Sequence, residues 1–230
     1  LKENPIIRFG VNSFELFGLP VPKGKNVIGI IGRNGIGKST AIGILSNSFK
    51  PNFGDYQKKL EQDIILRKFS GSVLGDYLKK LYNNEITISY KPQRVDLIPS
   101  YYNGSIISLV SSIDQKGVGE TLLKELDLYD IKERDVKNLS GGELQRLAII
   151  SAIVKKADFY YFDEPASFLD ITQRIKAARL IKELGKEASV MVVEHDLATL
   201  DYISDEIQIL RRTWGLWNCK PEQGCQKGDK

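Results

Sequence analysis

The stretch Gly32-Arg33-Asn34-Gly35-Ile36-Gly37-Lys38-Ser39 constrains this chain more than any other. It lies between a five-residue apolar run, Val27–Ile31, and a stretch of helical pattern from Lys38 to about Ser46. A run that is apolar throughout is what a strand covered on both faces requires. Strand, glycine-rich turn and helix in that order open a parallel α/β sheet. Residues 159–162 and 190–193 predict two more buried strands, and 86–90 and 207–210 two others. Residues 6–16 alternate loosely and predict a strand or hairpin, after which Pro20 and Pro22 break the pattern.

Helices are predicted over 121–128, from Ser140 to about Ile153, and over 173–184. In the last of these, Ala177, Leu180, Ile181 and Leu184 recur at helical spacing, with Gly185 as the stop. Between residues 55 and 84 two Lys-rich amphipathic stretches, 56–69 and 73–82, flank Ser70-Gly71-Ser72. They predict a helix–loop–helix insertion.

The stretch from Gly32 to Ser39 fits the P-loop pattern G-x-x-x-x-G-K-[ST], with Thr40 next. Its glycines let backbone N–H groups converge on phosphates, and the helix that follows offers its N-terminus to the same anion. Lys38 is placed to reach the β- and γ-phosphates, and the Ser39 hydroxyl to ligate Mg²⁺. The strand at 159–162 ends in Asp163-Glu164. Asp163 fits a carboxylate that holds Mg²⁺ through its water shell. Glu164, one residue further out, is placed to orient and deprotonate an attacking water.

Leu139-Ser140-Gly141-Gly142-Glu143-Leu144-Gln145-Arg146 is the most specific stretch in the chain. Ser140 with Glu143 has the capping-box spacing. An ordinary capped helix accounts for those two residues but not for Gly141 and Gly142, since two glycines in a first turn cost helix stability. Close approach of a ligand accounts for them. This octapeptide resembles the signature motif of the ABC-type ATPases almost residue for residue. The resemblance implies a P-loop ABC-type ATPase domain: a mostly parallel core sheet, an antiparallel β subdomain and a helical signature subdomain. It implies that Ser140, Gly141, Gly142 and Glu143 serve the γ-phosphate of ATP held by a second, similar domain. By the same resemblance Lys91-Pro92-Gln93 is the Q-loop, with Gln93 on Mg²⁺ and water. Ser167-Phe168-Leu169-Asp170 is the D-loop, with Asp170 facing the partner. His195, the only histidine, is the switch residue on the γ-phosphate. Phe9 stands where the adenine-stacking aromatic is expected, with Phe14 as the alternative; either also suits a core position.

Residues 50–54, 91–96, 139–146, 163–170 and 193–202 further resemble the first nucleotide-binding domain of the RNase L inhibitor family of ribosome-recycling ABC proteins. The match runs over about residues 5–210 and includes the insertion. It implies a cytoplasmic ATPase that splits ribosomes by ATP-dependent closure of two ABC domains, beside a release or rescue factor. The insertion would rest on rRNA of the small subunit, with Lys58, Lys59, Arg67, Lys68, Lys79 and Lys80 as phosphate contacts or as a plain solvated face. Iron–sulfur clusters belong to that family's N-terminal domain, which has no counterpart here, nor has its second ATPase domain. An isolated domain of this kind is expected to hydrolyse ATP weakly. The ATPase subunit of an ABC membrane transporter is the alternative, since it shares every nucleotide motif; a non-hydrolysing scaffold domain is a second.

Three departures stand out. Ala166 and Phe168 replace the usual Ser and Tyr, and Phe9 replaces a usual Tyr. After residue 210 the family's Tyr-Gly-x-Pro-Gly-x-Tyr-Gly is missing, and both tryptophans and both cysteines fall in 211–230. One synonymous coding string for residues 210–219, read one base later, yields the family motif, so this tail reads as a frameshifted end. The chain begins Leu1-Lys2-Glu3-Asn4-Pro5, with neither Met nor a signal-peptide pattern, and reads as a fragment. Its net charge of +4 weakly favours an anionic partner and equally suits a Lys-rich solvated surface. No run of 18 apolar residues predicts a membrane span.

Overall fold

The computed structural model describes residues 5–8, 15–16, 19–21, 24–55, 57, 60–210, 217–220 and 224–227, the pairs and strands at 15–16, 217–220 and 224–227 as backbone only. β1 (Ile7–Arg8) and β2 (Glu15–Leu16) form an antiparallel pair. The remaining elements follow in order: β3 (Val27–Ile31), α1 (Lys38–Leu45), α2 (Gln62–Lys68), α3 (Val73–Tyr82), β4 (Ile88–Lys91), α4 (Ile98–Tyr101), α5 (Ile106–Ile113), α6 (Gly119–Glu125) and α7 (Gly141–Ile153). Then come β5 (Phe159–Asp163), α8 (Ile171–Gly185), β6 (Ser189–Val193), α9 (Leu197–Ile203), β7 (Glu206–Ile209), β8 (Trp217–Lys220) and β9 (Gly224–Lys227).

The main sheet has the order β4-β5-β6-β3-β7-β8-β9. Its first five strands are mutually parallel, and β8 and β9 add antiparallel. The all-apolar strands are covered on both faces, as their composition requires. Tyr160, Phe162, Val190 and Val192 face one hydrophobic cluster, built with α5 to α9. Tyr161, Met191, Val193 and Ile30 face the other, built with α1 and the insertion helices. Residues alternate between the two because successive strand side chains point to opposite faces.

The register fixes the site. Lys91 pairs with Phe162, Asp163 with Val193, and Val193 with Ile30. Parallel strands therefore release four loops at one edge: those starting at Gly32, Pro92, Glu164 and Glu194. Ligands of open parallel sheets bind at that edge.

Some boundaries differ from expectation. The first insertion helix starts at Gln62, not at residue 56. α8 starts at Ile171, capped by Asp170, and Gly185 is its last residue rather than a left-handed stop. Gly185 is required by packing instead, since a Cβ there would sit 2.3 Å from Val27 Cγ2. The helices α4, α5 and α9 were not expected. In the tail, 217–220 and 224–227 form strands. Phe9, Phe14, Lys58 and Lys59 lie outside the described residues.

Candidate functional site

The turn after β3 is shaped by its glycines. Gly37 caps α1 at φ 97°, a left-handed conformation that a side chain disfavours. No side chain caps α1, and its first backbone bond is Ala41 N–H to the Gly37 carbonyl. The N–H groups of Lys38, Ser39 and Thr40 are thus free to point at an anion. Lys38 folds back over the turn: its Nζ donates to the carbonyls of Gly32 (2.7 Å) and Arg33 (3.2 Å). Burial holds its pKa below the ordinary lysine value, against the opposing pull of Glu164 and Asp163. Arg33, Asn34 and Gly35 are exposed at the rim, and Ile36 is half-buried.

Asp163 ends β5 at 1% exposure. Neither carboxylate oxygen has a hydrogen-bond partner among the described residues. Desolvation raises its pKa; Ser39 opposes the rise, standing near the carboxylate without reaching full hydrogen-bond geometry. A buried carboxylate left unpaired beside a serine hydroxyl and an ammonium is a costly arrangement unless something cationic completes it. A hard divalent ion with oxygen ligands fits that description.

Glu164 follows at φ 49°, an uncommon conformation for a residue with a side chain. Its N–H donates to the Val193 carbonyl at 2.8 Å. Its carbonyl accepts from Lys91 Nζ (3.2 Å) and Gln145 Nε2 (2.7 Å). Its carboxylate lies 3.1 Å from His195 Nε2 and accepts from the Ser167 hydroxyl at 3.3 Å. A carboxylate held against an imidazole, one residue from a candidate metal ligand, can orient and deprotonate a water.

Gln93 is exposed in the loop after β4, at the same edge. Ser140 caps α7 in a complete capping box with Glu143, whose carboxylate also meets Arg134 at 2.9 Å. The two glycines of that first turn divide. A Cβ on Gly142 would lie 3.0 Å from the Phe168 carbonyl, so part of the close approach comes from within the chain. Gly141 is exposed and meets nothing nearer than the Phe168 ring at 3.8 Å. Asp170 caps α8 by accepting from Gln173 N–H at 2.9 Å.

Three site residues carried no assigned role in the sequence. Lys91, 1% exposed, donates to the carbonyls of Asp163 (2.8 Å) and Glu164. Gln145 of α7 reaches the carbonyls of Glu164 and Pro165. Glu194 bridges two backbone N–H groups. For Lys91 and Glu194 the only signal was a polar residue at the end of a strand pattern; Gln145, inside α7, gave none.

The family model described as "ABC transporter" matches residues 18–167. The chain belongs to that family. Within the ABC family it sides with the RNase L inhibitor branch. Translation initiation factor RLI1 of Saccharomyces cerevisiae is 42% identical over 209 residues, 88% of this chain and 34% of the relative. A solved RNase-L inhibitor is 47% identical with a TM-score of 0.87, covering 94% of this chain and 42% of that one. The archaeal ribosome recycling factor aABCE1, solved with ribosomal stalk protein aP1, is 48% identical with a TM-score of 0.86 over 91% of this chain and 40% of its own. The chain spans about a third of the length of the curated relatives it matches. No helix among the described residues is long and apolar enough to cross a membrane.

Proposed function

We propose that this chain is an ATP-binding and ATP-hydrolysing module of a ribosome-recycling factor. The observation that carries the ATPase reading is Asp163: buried, unpaired, beside Ser39 and Lys38, and one residue before the Glu164–His195 pair. The turn from Gly32 to Thr40 binds the phosphates through backbone N–H groups, and Lys38 leaves its loop carbonyls for the β- and γ-phosphates. Ser39, Asp163 and Gln93 hold Mg²⁺, which when bound neutralises charge on the phosphates. Glu164 takes the proton of the attacking water, and His195 holds the γ-phosphate side. Ser140, Gly141, Gly142, Glu143 and Asp170 serve a second ABC domain's nucleotide, so the chain alone turns over ATP slowly. Phe9 or Phe14 stacks on adenine.

The ribosomal part of the reading rests on relatives 42–48% identical, named for translation initiation, ribosome recycling or RNase L inhibition. They favour it over a transporter subunit. Action in the cytoplasm, ATP-driven closure against a second ABC domain, and contact with the small subunit and a release or rescue factor follow from it. Arg67, Lys68, Lys79 and Lys80, all exposed on the insertion, support a contact with rRNA phosphates. Co-sedimentation of the full-length protein with small ribosomal subunits tests this. Binding that depends on a non-hydrolysable ATP analogue supports it, and none in either nucleotide state refutes it. We also keep residues 1–210 as the ABC domain and 211–230 as a frameshifted end; the coding DNA checks this, and no frame encoding the family motif there would end it.

A further inference from the structure

Glu194 is 4% exposed, opens the loop that carries His195, and reaches across to the loop that carries Glu164. Its Oε2 accepts from the N–H of Ala166 at 3.0 Å, two residues past Glu164. Its Oε1 accepts from the N–H of His195 at 2.8 Å. One buried carboxylate thus joins the backbones of both loops. Lys91, which attracts Glu194 electrostatically, grips the Glu164 loop from the other side through the Asp163 and Glu164 carbonyls. The result is that Glu164, at φ 49°, stays 3.1 Å from His195. Such a conformation is strained and persists only where its surroundings over-determine it, which is most common at working sites.

We propose that Glu194 is a positioning residue for hydrolysis, setting the Glu164–His195 geometry by bridging the Ala166 and His195 backbones. This rests on the ATPase reading. The chemistry specifies glutamate. Two separate N–H donors need two acceptor oxygens, and a carboxylate is acceptor-only. Glutamine would turn an NH₂ donor against one of them. Aspartate keeps the charge near Lys91 but is one methylene too short to span both.

The test is steady-state ATP hydrolysis by the full-length protein, wild type against Glu194→Gln and Glu194→Asp. Both variants are expected to lose kcat by about 10–100-fold, the range seen when groups that orient active-site ligands are removed. KM for ATP and the binding of a fluorescent ATP analogue should stay near wild type, since the lost interaction acts on the reacting geometry. In a His195→Ala background the Glu194→Gln change should add little, because it acts through that residue. Full kcat in Glu194→Gln, rescue by Glu194→Asp, or a parallel loss of kcat and nucleotide affinity overturns the proposal. A wild type that turns over no ATP sinks the ATPase reading along with it; an active wild type beside an equally active Glu194→Gln sinks this proposal alone.

Discussion

The hydroxyl of Tyr77 lies 2.7 Å from the hydroxyl of Tyr161 and donates to the carbonyl of Leu45, also at 2.7 Å. Tyr77 belongs to the insertion helix α3, Tyr161 to the strand that ends in Asp163, and Leu45 to the end of α1. The Tyr77 ring also meets Phe159 edge-on, with centroids 5.1 Å apart. The insertion is therefore bonded into both elements that build the nucleotide site, rather than hung from the surface.

Replacing Tyr77 by Phe keeps the ring and removes the hydroxyl. The buried Tyr161 hydroxyl and the Leu45 carbonyl each lose a partner, which costs about 1–3 kcal/mol. Urea unfolding should show a lower midpoint with an unchanged slope. An unchanged midpoint would mean the pair contributes nothing to the fold.

Burial pushes the Lys91 ammonium down to about 8 from 10.5, against the pull of Asp163, Glu194 and Glu164. Between those values the unfolded chain binds a proton that the folded chain does not. Stability contributed at this residue therefore rises with pH through that window, at up to about 1.4 kcal/mol per unit. Below pH 8 both states are protonated and the slope vanishes. The measurement is the difference in unfolding free energy between wild type and Lys91→Met, which should climb from pH 8 to 10. The subtraction removes the opposing effect of buried tyrosines such as Tyr77 and Tyr161, whose pKa values burial raises.

Ser140→Ala removes the side chain that accepts the Glu143 N–H at the start of α7. Loss of such a cap costs about 1 kcal/mol, visible as a lower thermal midpoint. Under the proposed function Ser140 serves the other domain's nucleotide. ATP binding by this chain should then be unchanged, while turnover by the full-length protein falls.

The main strands were legible because burial on both faces leaves an uninterrupted apolar run, as in Val190 to Val193, all of them 0% exposed. Lys38, Asp163, Glu164 and His195 were legible because each follows such a strand, and the parallel register brings them to one edge. The short helices α4 and α9 were not: each has too few residues for a period to show. Gly185 does end its helix, but its close approach to Val27 was not legible, because a glycine that ends a helix and a glycine that admits a neighbour look alike in a sequence. Lys91 and Glu194 carried no role because the Asp163 and Glu164 carbonyls and the Ala166 N–H they meet are distant in sequence, and only the folded chain brings them near.

The central claim is that Asp163 and Glu164 serve ATP hydrolysis, and Glu164→Gln in the full-length protein tests it most directly. ATP turnover and bound nucleotide are measured on the same sample with Mg²⁺. The account predicts turnover reduced by about 10²–10⁴-fold, as expected for loss of a general base, with Mg²⁺–ATP still bound. Turnover equal to wild type would contradict it.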